Sequence, residues 1–110
     1  MAFYECTFIA RQDLSPSDVT KLTDSVVATL EKHNAKIIKR ESWGLRPLAY
    51  EINKNRKGHF VMLGVEAKEE ALTAYRTEQR LSEETIRSME IKVDEMDSST
   101  PSIMMRDEAA

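Results

Sequence analysis

The apolar residues of this chain change their spacing in a fixed order, and that order constrains the fold more than any single motif. Between residues 3 and 10, Tyr4, Cys6, Phe8 and Ala10 alternate with Glu5, Thr7 and Ile9, the period-two pattern of a strand with one face more apolar than the other. Ser15 then stands as a helix N-cap, with Pro16 at the first helical position and Asp18 three residues past the cap. A cap hydroxyl satisfies a free amide of the first turn, proline has no N–H to leave unpaired there, and an acid suits the helix dipole. Val19, Leu22, Val26 and Leu30 follow at helical spacing, with Val27 widening the stripe. The helix is expected to end near His33-Asn34, because asparagine tolerates a left-handed cap.

Residues 35 to 52 read as a long extended segment broken near Gly44 and Pro47. Asn53-Lys54-Asn55-Arg56-Lys57 reads as a turn, and His59 to Glu66 as the strand that completes a hairpin. Lys68 to about Arg80 is helical by propensity, with Ala71, Leu72 and Tyr75 on one face and Gln79 where a further apolar residue is expected. Thr85 to Val93 alternates again, Met89, Ile91 and Val93 against Ser88, Glu90 and Lys92. Strand, helix, strand, strand, helix, strand closes as a four-stranded antiparallel sheet with both helices on one face, a ferredoxin-like βαββαβ domain of the α+β class. It spans residues 1–93, and residues 94–110 form an acidic, aperiodic tail read as disordered or ordered by a partner. The helices leave the other sheet face uncovered, available to a ligand or partner. That architecture by itself implies no function.

Charge is distributed unevenly. The chain carries a net charge of −3, which argues at first sight against nucleic acid. From Lys36 to Phe60, however, seven basic residues face only Glu41 and Glu51, a local net of +5. A phosphate feels charge within roughly 8–10 Å, so the local sign decides. Lys54, Arg56 and Lys57 in the turn are candidates for phosphate contacts, because a hairpin tip protrudes and its backbone amides can assist. Lys36, Lys39, Arg40 and Arg46 alternate along the preceding strand and cannot form one patch. Solvated edge-strand charges that prevent aggregation are the plainer alternative.

Catalytic chemistry has little to work with. His33 and His59 have no second His or Cys at ligand spacing, and Cys6 sits on the apolar strand face as a small core residue. Three glycines form no phosphate loop, and Glu69-Glu70 and Glu83-Glu84 read as solvated acids. No cofactor, metal or small-molecule substrate is expected, and the chain is not read as an enzyme. A single cysteine fits a reducing compartment, no apolar run reaches the ~20 residues of a membrane helix, and no signal peptide is recognised at the N-terminus, so a cytoplasmic protein is expected. Phe60 stands without an aromatic two residues on, so base stacking on the sheet in the manner of RNA-recognition motifs is rejected.

The string Trp43-Gly44-Leu45-Arg46-Pro47-Leu48-Ala49-Tyr50-Glu51-Ile52-Asn53-Lys54 resembles the signature of the bacterial small-subunit ribosomal protein six family. Gly44, Arg46, Leu48, Ala49, Tyr50 and Ile52 match it. Pro47 departs from the usual polar residue, and should sit at a strand edge or bulge where its missing N–H is harmless. Tyr4-Glu5, Lys57 to Val65, and Ile86-Arg87-Ser88-Met89 fall in register with other family marks, so the resemblance covers about residues 2–93. It implies a non-enzymatic constituent of the small ribosomal subunit that pairs with ribosomal protein eighteen. The pair binds the central domain of small-subunit ribosomal RNA and supports platform assembly and translation, a ribosome-associated role. On that basis Lys54, Arg56, Lys57 and Arg87 are assigned to phosphate contacts, with Arg80 a secondary candidate. Trp43, Arg46 and Tyr50 are candidate partner contacts, packing within the sheet being the alternative for the two aromatics, while Arg46 could instead pair with Glu51 across the bend. A ferredoxin-like regulatory homodimer without RNA binding is the competing reading.

Overall fold

A computed structural model describes residues 2–96. The elements are β1 (Ala2–Arg11), α1 (Pro16–Lys32), β2 (Lys36–Ile52), β3 (Asn55–Ala67), α2 (Glu69–Leu81) and β4 (Thr85–Val93). The four strands form one antiparallel sheet in the order β2-β3-β1-β4, the arrangement expected from the sequence. The expected acidic tail lies largely outside the described residues.

α1 begins as its sequence dictates. Ser15 Oγ accepts from the Asp18 amide at 3.1 Å, and Asp18 accepts from the Ser15 amide at 3.2 Å, a reciprocal capping box that satisfies two free donors. Those hydrogen bonds hold the Asp18 carboxyl below its ordinary range. The helix ends at His33, after which Asn34 takes φ 66°. Val19, Leu22, Val26 and Leu30 of α1 and Ala71, Leu72 and Tyr75 of α2 pack on Cys6, Phe8, Val61, Leu63 and Val65 of the sheet. Tyr75 carries its hydroxyl into this core and donates to the Thr7 carbonyl at 3.3 Å. Burial accordingly raises its phenol above the ordinary 10.0, and pushes the Cys6 thiol from 9.0 to about 12.

The hairpin departs from expectation in two ways. β2 runs unbroken through Gly44 and Pro47, but its register against β3 shifts between Ser42 and Gly44 and again after Pro47. Gly44 sits at φ 79°, where one extra residue makes a bulge that bends the strand without ending it. After Pro47, on the edge strand, residues 48–51 instead leave the ladder, which resumes at Ile52 and Asn55. The turn is also tighter than the five residues expected. Only Asn53 and Lys54 have positive φ, 47° and 66°, the signature of a two-residue type I′ hairpin turn, and Arg56 and Lys57 already belong to β3.

The bends give the sheet a second, smaller core on the face away from the helices. Ile9, Trp43, Phe60 and Met62 are buried there, with Leu48 and Ile86 packed against them. That face is therefore only partly open, because the distal limb of the hairpin folds back over it. At the opposite end Glu5, Gly64 and Lys39 lie side by side across β1, β3 and β2. The Lys39 stem and the Met96 sulfur both rest over Gly64, where a Cβ would stand 2.6 Å from each.

Candidate functional site

Three features converge around the hairpin and the β4 edge. The first is the tip. Lys54, Arg56 and Lys57 are all exposed, and Arg56 pairs with Glu51 at 3.8 Å. A surface pair of that length is worth little, so the tip remains cationic. Asn55 is buried and locks the turn, its side-chain amide donating to the Ile52 and Asn53 carbonyls at 3.2 and 2.9 Å. The Gln12 amide donates to Asn55 Oδ1 at 3.1 Å. In return, the amides of Arg56 and Lys57 donate to Gln12 Oε1 at 3.3 and 3.2 Å. Those two backbone donors are occupied and cannot assist a phosphate as the sequence suggested. At Arg56 and Lys57 the tip offers side chains only.

The second feature is a groove of about 510 Å³ between the distal hairpin and β4, lined by Ile9, Pro47, Leu48, Tyr50, Phe60 and Met89 among others, with Arg87 at its border. Tyr50 is 61% exposed and spans the groove to accept a 2.6 Å hydrogen bond from Arg87. Trp43 lies elsewhere. It is 8% exposed and stacked on Phe60 with centroids 6.1 Å apart, and its indole N–H donates to Glu41 at 2.8 Å. Sheet packing therefore describes Trp43 in this chain. Arg46 lies over the indole, 5.7 Å from its centroid, and donates to the Trp43 carbonyl at 3.2 Å. An aromatic roofed by a guanidinium is sheltered rather than displayed. Phe60, 7% exposed, is equally unavailable for base stacking.

The third feature is a smaller, polar pocket of about 290 Å³ where the end of α2 meets the start of β4. It brings Arg80 and Arg87 together with Arg76, Gln79, Ser82, Thr85 and Ser88. Arg76 is committed to Glu69 at 2.6 Å and to Glu90, and those carboxylates hold its proton more firmly than usual. Gln79 is 5% exposed, and both its amide nitrogen and its oxygen lack partners among the described residues, as does the Thr85 hydroxyl. A buried amide left in that condition costs about 1–3 kcal/mol.

Comparisons with known proteins place this geometry. The family model described as ribosomal protein S6 matches residues 3–92. The chain belongs to the ribosomal protein S6 family. It is 43% identical over 106 residues to the small ribosomal subunit protein bS6 of Bradyrhizobium diazoefficiens, covering 96% of this chain and 63% of that protein. It is 42% identical over 106 residues to bS6 of Gluconacetobacter diazotrophicus, covering 96% and 66%. The chain thus spans about two thirds of the length of these relatives. The crystal structure of 30S ribosomal protein S6 from Thermotoga maritima superposes with a TM-score of 0.80 at 26% identity, covering 84% of this chain and 87% of that one.

The ribosomal protein S6 family is structural rather than enzymatic. The His59 ring donates to the Leu14 carbonyl at 2.9 Å and the His33 ring to the Thr29 carbonyl at 3.0 Å, so both serve local structure. Among the described residues no group of acids, His and Cys could hold a metal ion, and no helix is long and apolar enough to cross a membrane. Sequence reasoning missed the roles of Gln12, just past β1, and Asn55, at the hairpin turn, whose only signal was a side-chain amide at each position. It noticed Gln79 as an interruption of the apolar face but not as part of a pocket.

Proposed function

We propose that this chain is a constituent of the small ribosomal subunit that binds the central domain of its RNA jointly with ribosomal protein eighteen, supporting platform assembly and translation in the cytoplasm. The observation that carries this reading is the placement of an apolar groove, bridged by exposed Tyr50, between two cationic surfaces. One is the hairpin tip with Lys54, Arg56 and Lys57, and the other is the junction of α2 and β4, with Arg80 at the end of the helix and Arg87 on the strand. An apolar groove with a large aromatic beside it suits a protein partner. Flanking cations suit a phosphate backbone that runs past both proteins. Trp43 and Arg46 contribute by holding the hairpin in place rather than by direct contact.

A chain with net charge −3 gains from sharing the RNA with a more basic partner. Titrating central-domain RNA with this protein, with protein eighteen, and with the mixture tests the reading. The mixture is expected to bind much more tightly than either component and to weaken steeply with salt. Equal binding by this chain alone would rule out the shared site. A regulatory homodimer would remain in the soluble fraction when small subunits are sedimented, whereas the proposed constituent co-sediments with them.

A further inference from the structure

We infer that the pocket between the end of α2 and the start of β4 is a receptor for a single phosphate group, supplied by the RNA backbone. The RNA origin of that phosphate rests on the proposed function; the pocket itself does not.

Charge and donors make the case together. Arg80 has no ion-pair partner among the described residues. Arg87 spends one Nη hydrogen on Tyr50 and, among the described residues, keeps its remaining N–H groups. Arg76 is neutralised by two carboxylates and serves as a wall. Two guanidinium groups on one small pocket favour an anion, and phosphate is the anion whose several oxygens suit planar, forked donors.

Neutral groups complete the set. Ser82 Oγ already accepts from the amides of Glu84 and Thr85, both at 3.3 Å, so its own hydrogen is left to give. Among the described residues the Thr85 hydroxyl and the Gln79 amide lack partners, and Gln79 is 95% buried. At this position on α2 the core stripe calls for an apolar side chain, and a glutamine there sacrifices stability unless its amide meets a ligand. The Gln79 amide and the Thr85 hydroxyl lie beneath the pocket lining with almost no exposed surface, so a side-chain turn toward the pocket brings Gln79 Nε2 and Thr85 Oγ1 to a phosphate oxygen that supplies the missing partner. Hydrogen bonds from charged and neutral donors to one ester phosphate would then fix the register of an RNA strand along the β4 edge.

The test uses the full chain labelled with ¹⁵N and inorganic phosphate as the probe, at constant ionic strength against chloride. Phosphate is expected to shift the Gln79 side-chain amide and the Arg80 Nε–H signals in a saturable way. Gln79→Met, which keeps the volume and removes the amide, is expected to weaken binding about tenfold, the worth of one hydrogen bond to a charged group, while raising the melting temperature. Arg80→Gln is expected to weaken phosphate binding without altering the melting temperature, and to weaken RNA binding by the mixture with protein eighteen. No saturable shift, or a shift of equal affinity in Gln79→Met, would overturn the pocket. Loss of phosphate binding in Arg80→Gln with RNA affinity unchanged would overturn the RNA origin of the phosphate. If the mixture binds no RNA at all, the proposed function and the RNA origin both fail, and the phosphate titration still decides the pocket.

Discussion

Arg87 donates a 2.6 Å hydrogen bond to the Tyr50 hydroxyl across 37 residues of sequence, joining the distal limb of the β2–β3 hairpin to β4, two strands beyond β3 in the sheet. Tyr50→Phe keeps the ring and removes this acceptor. Because Tyr50 is exposed, the expected loss of stability is under about 1 kcal/mol. The effect should concentrate instead in faster hydrogen exchange over residues 48–52. Unchanged exchange there would mean that the limb is held by Leu48 packing alone.

Lys54 occupies a left-handed backbone position, φ 66°, that glycine fills at lower cost. Lys54→Gly should raise stability by about 1 kcal/mol, readable as an upward shift in melting temperature. If Lys54 meets a phosphate, the same variant lowers RNA affinity of the mixture and reduces the salt slope by about 1. Higher stability with unaltered RNA affinity would remove Lys54 from the interface.

Gly64 is closely roofed by the Lys39 stem and the Met96 sulfur. Gly64→Ala is expected to cost about 1–3 kcal/mol by overpacking, and Met96→Ala in the same chain should return part of it. A double-mutant cycle by urea denaturation measures the coupling. Strictly additive effects would show that Met96 does not rest on Gly64 in solution.

The Cys6 thiol and the Tyr75 phenol both keep their protons more tightly when folded, Cys6 with a value raised from 9.0 to about 12. A group whose folded value is raised stabilises below its unfolded value and loses that contribution as pH climbs toward the folded one. For Cys6 the window runs from 9.0 to about 12. Inside it, stability should fall by up to about 1.4 kcal/mol per pH unit for each such proton. Urea denaturation at about pH 8 and about pH 10.5 reads the difference, which should shrink in Cys6→Ala measured against its own value at the lower pH. Native Cys6 should also resist alkylation at the lower pH, since a buried protonated thiol is a poor nucleophile.

Local physics carried the sequence reading far. Ser15, Pro16 and Asp18 specify the start of α1 because every interaction involved lies within four residues, and the stripe from Val19 to Leu30 specifies which face is buried. β4 emerges with the bounds that alternation assigns it. What alternation cannot convey is how a bulge redirects a strand. Gly44 and Pro47 were visible as irregularities, but the fold-back of the hairpin depends on contacts of Leu48 and Tyr50 with distant Ile9 and Arg87. Trp43 shows the same limit, since burial under Arg46 follows from that bend. Gln79 was visible as a polar residue out of place, while its lack of partners required knowing what surrounds it.

The sheet order places β1 in the centre, although it is synthesised before the other three strands of the sheet. Its two neighbours begin only at Asn55 and Thr85, and a chain grows at about 5–20 residues per second. β1 therefore leaves the exit tunnel with both edges bare and waits seconds for its first partner. The hydrophobic sheet closes only when β4 arrives, so a nascent chain of this protein depends on all four strands before it can bury the one it made before the others. A truncation inside β4 should consequently yield an aggregating chain rather than a smaller fold.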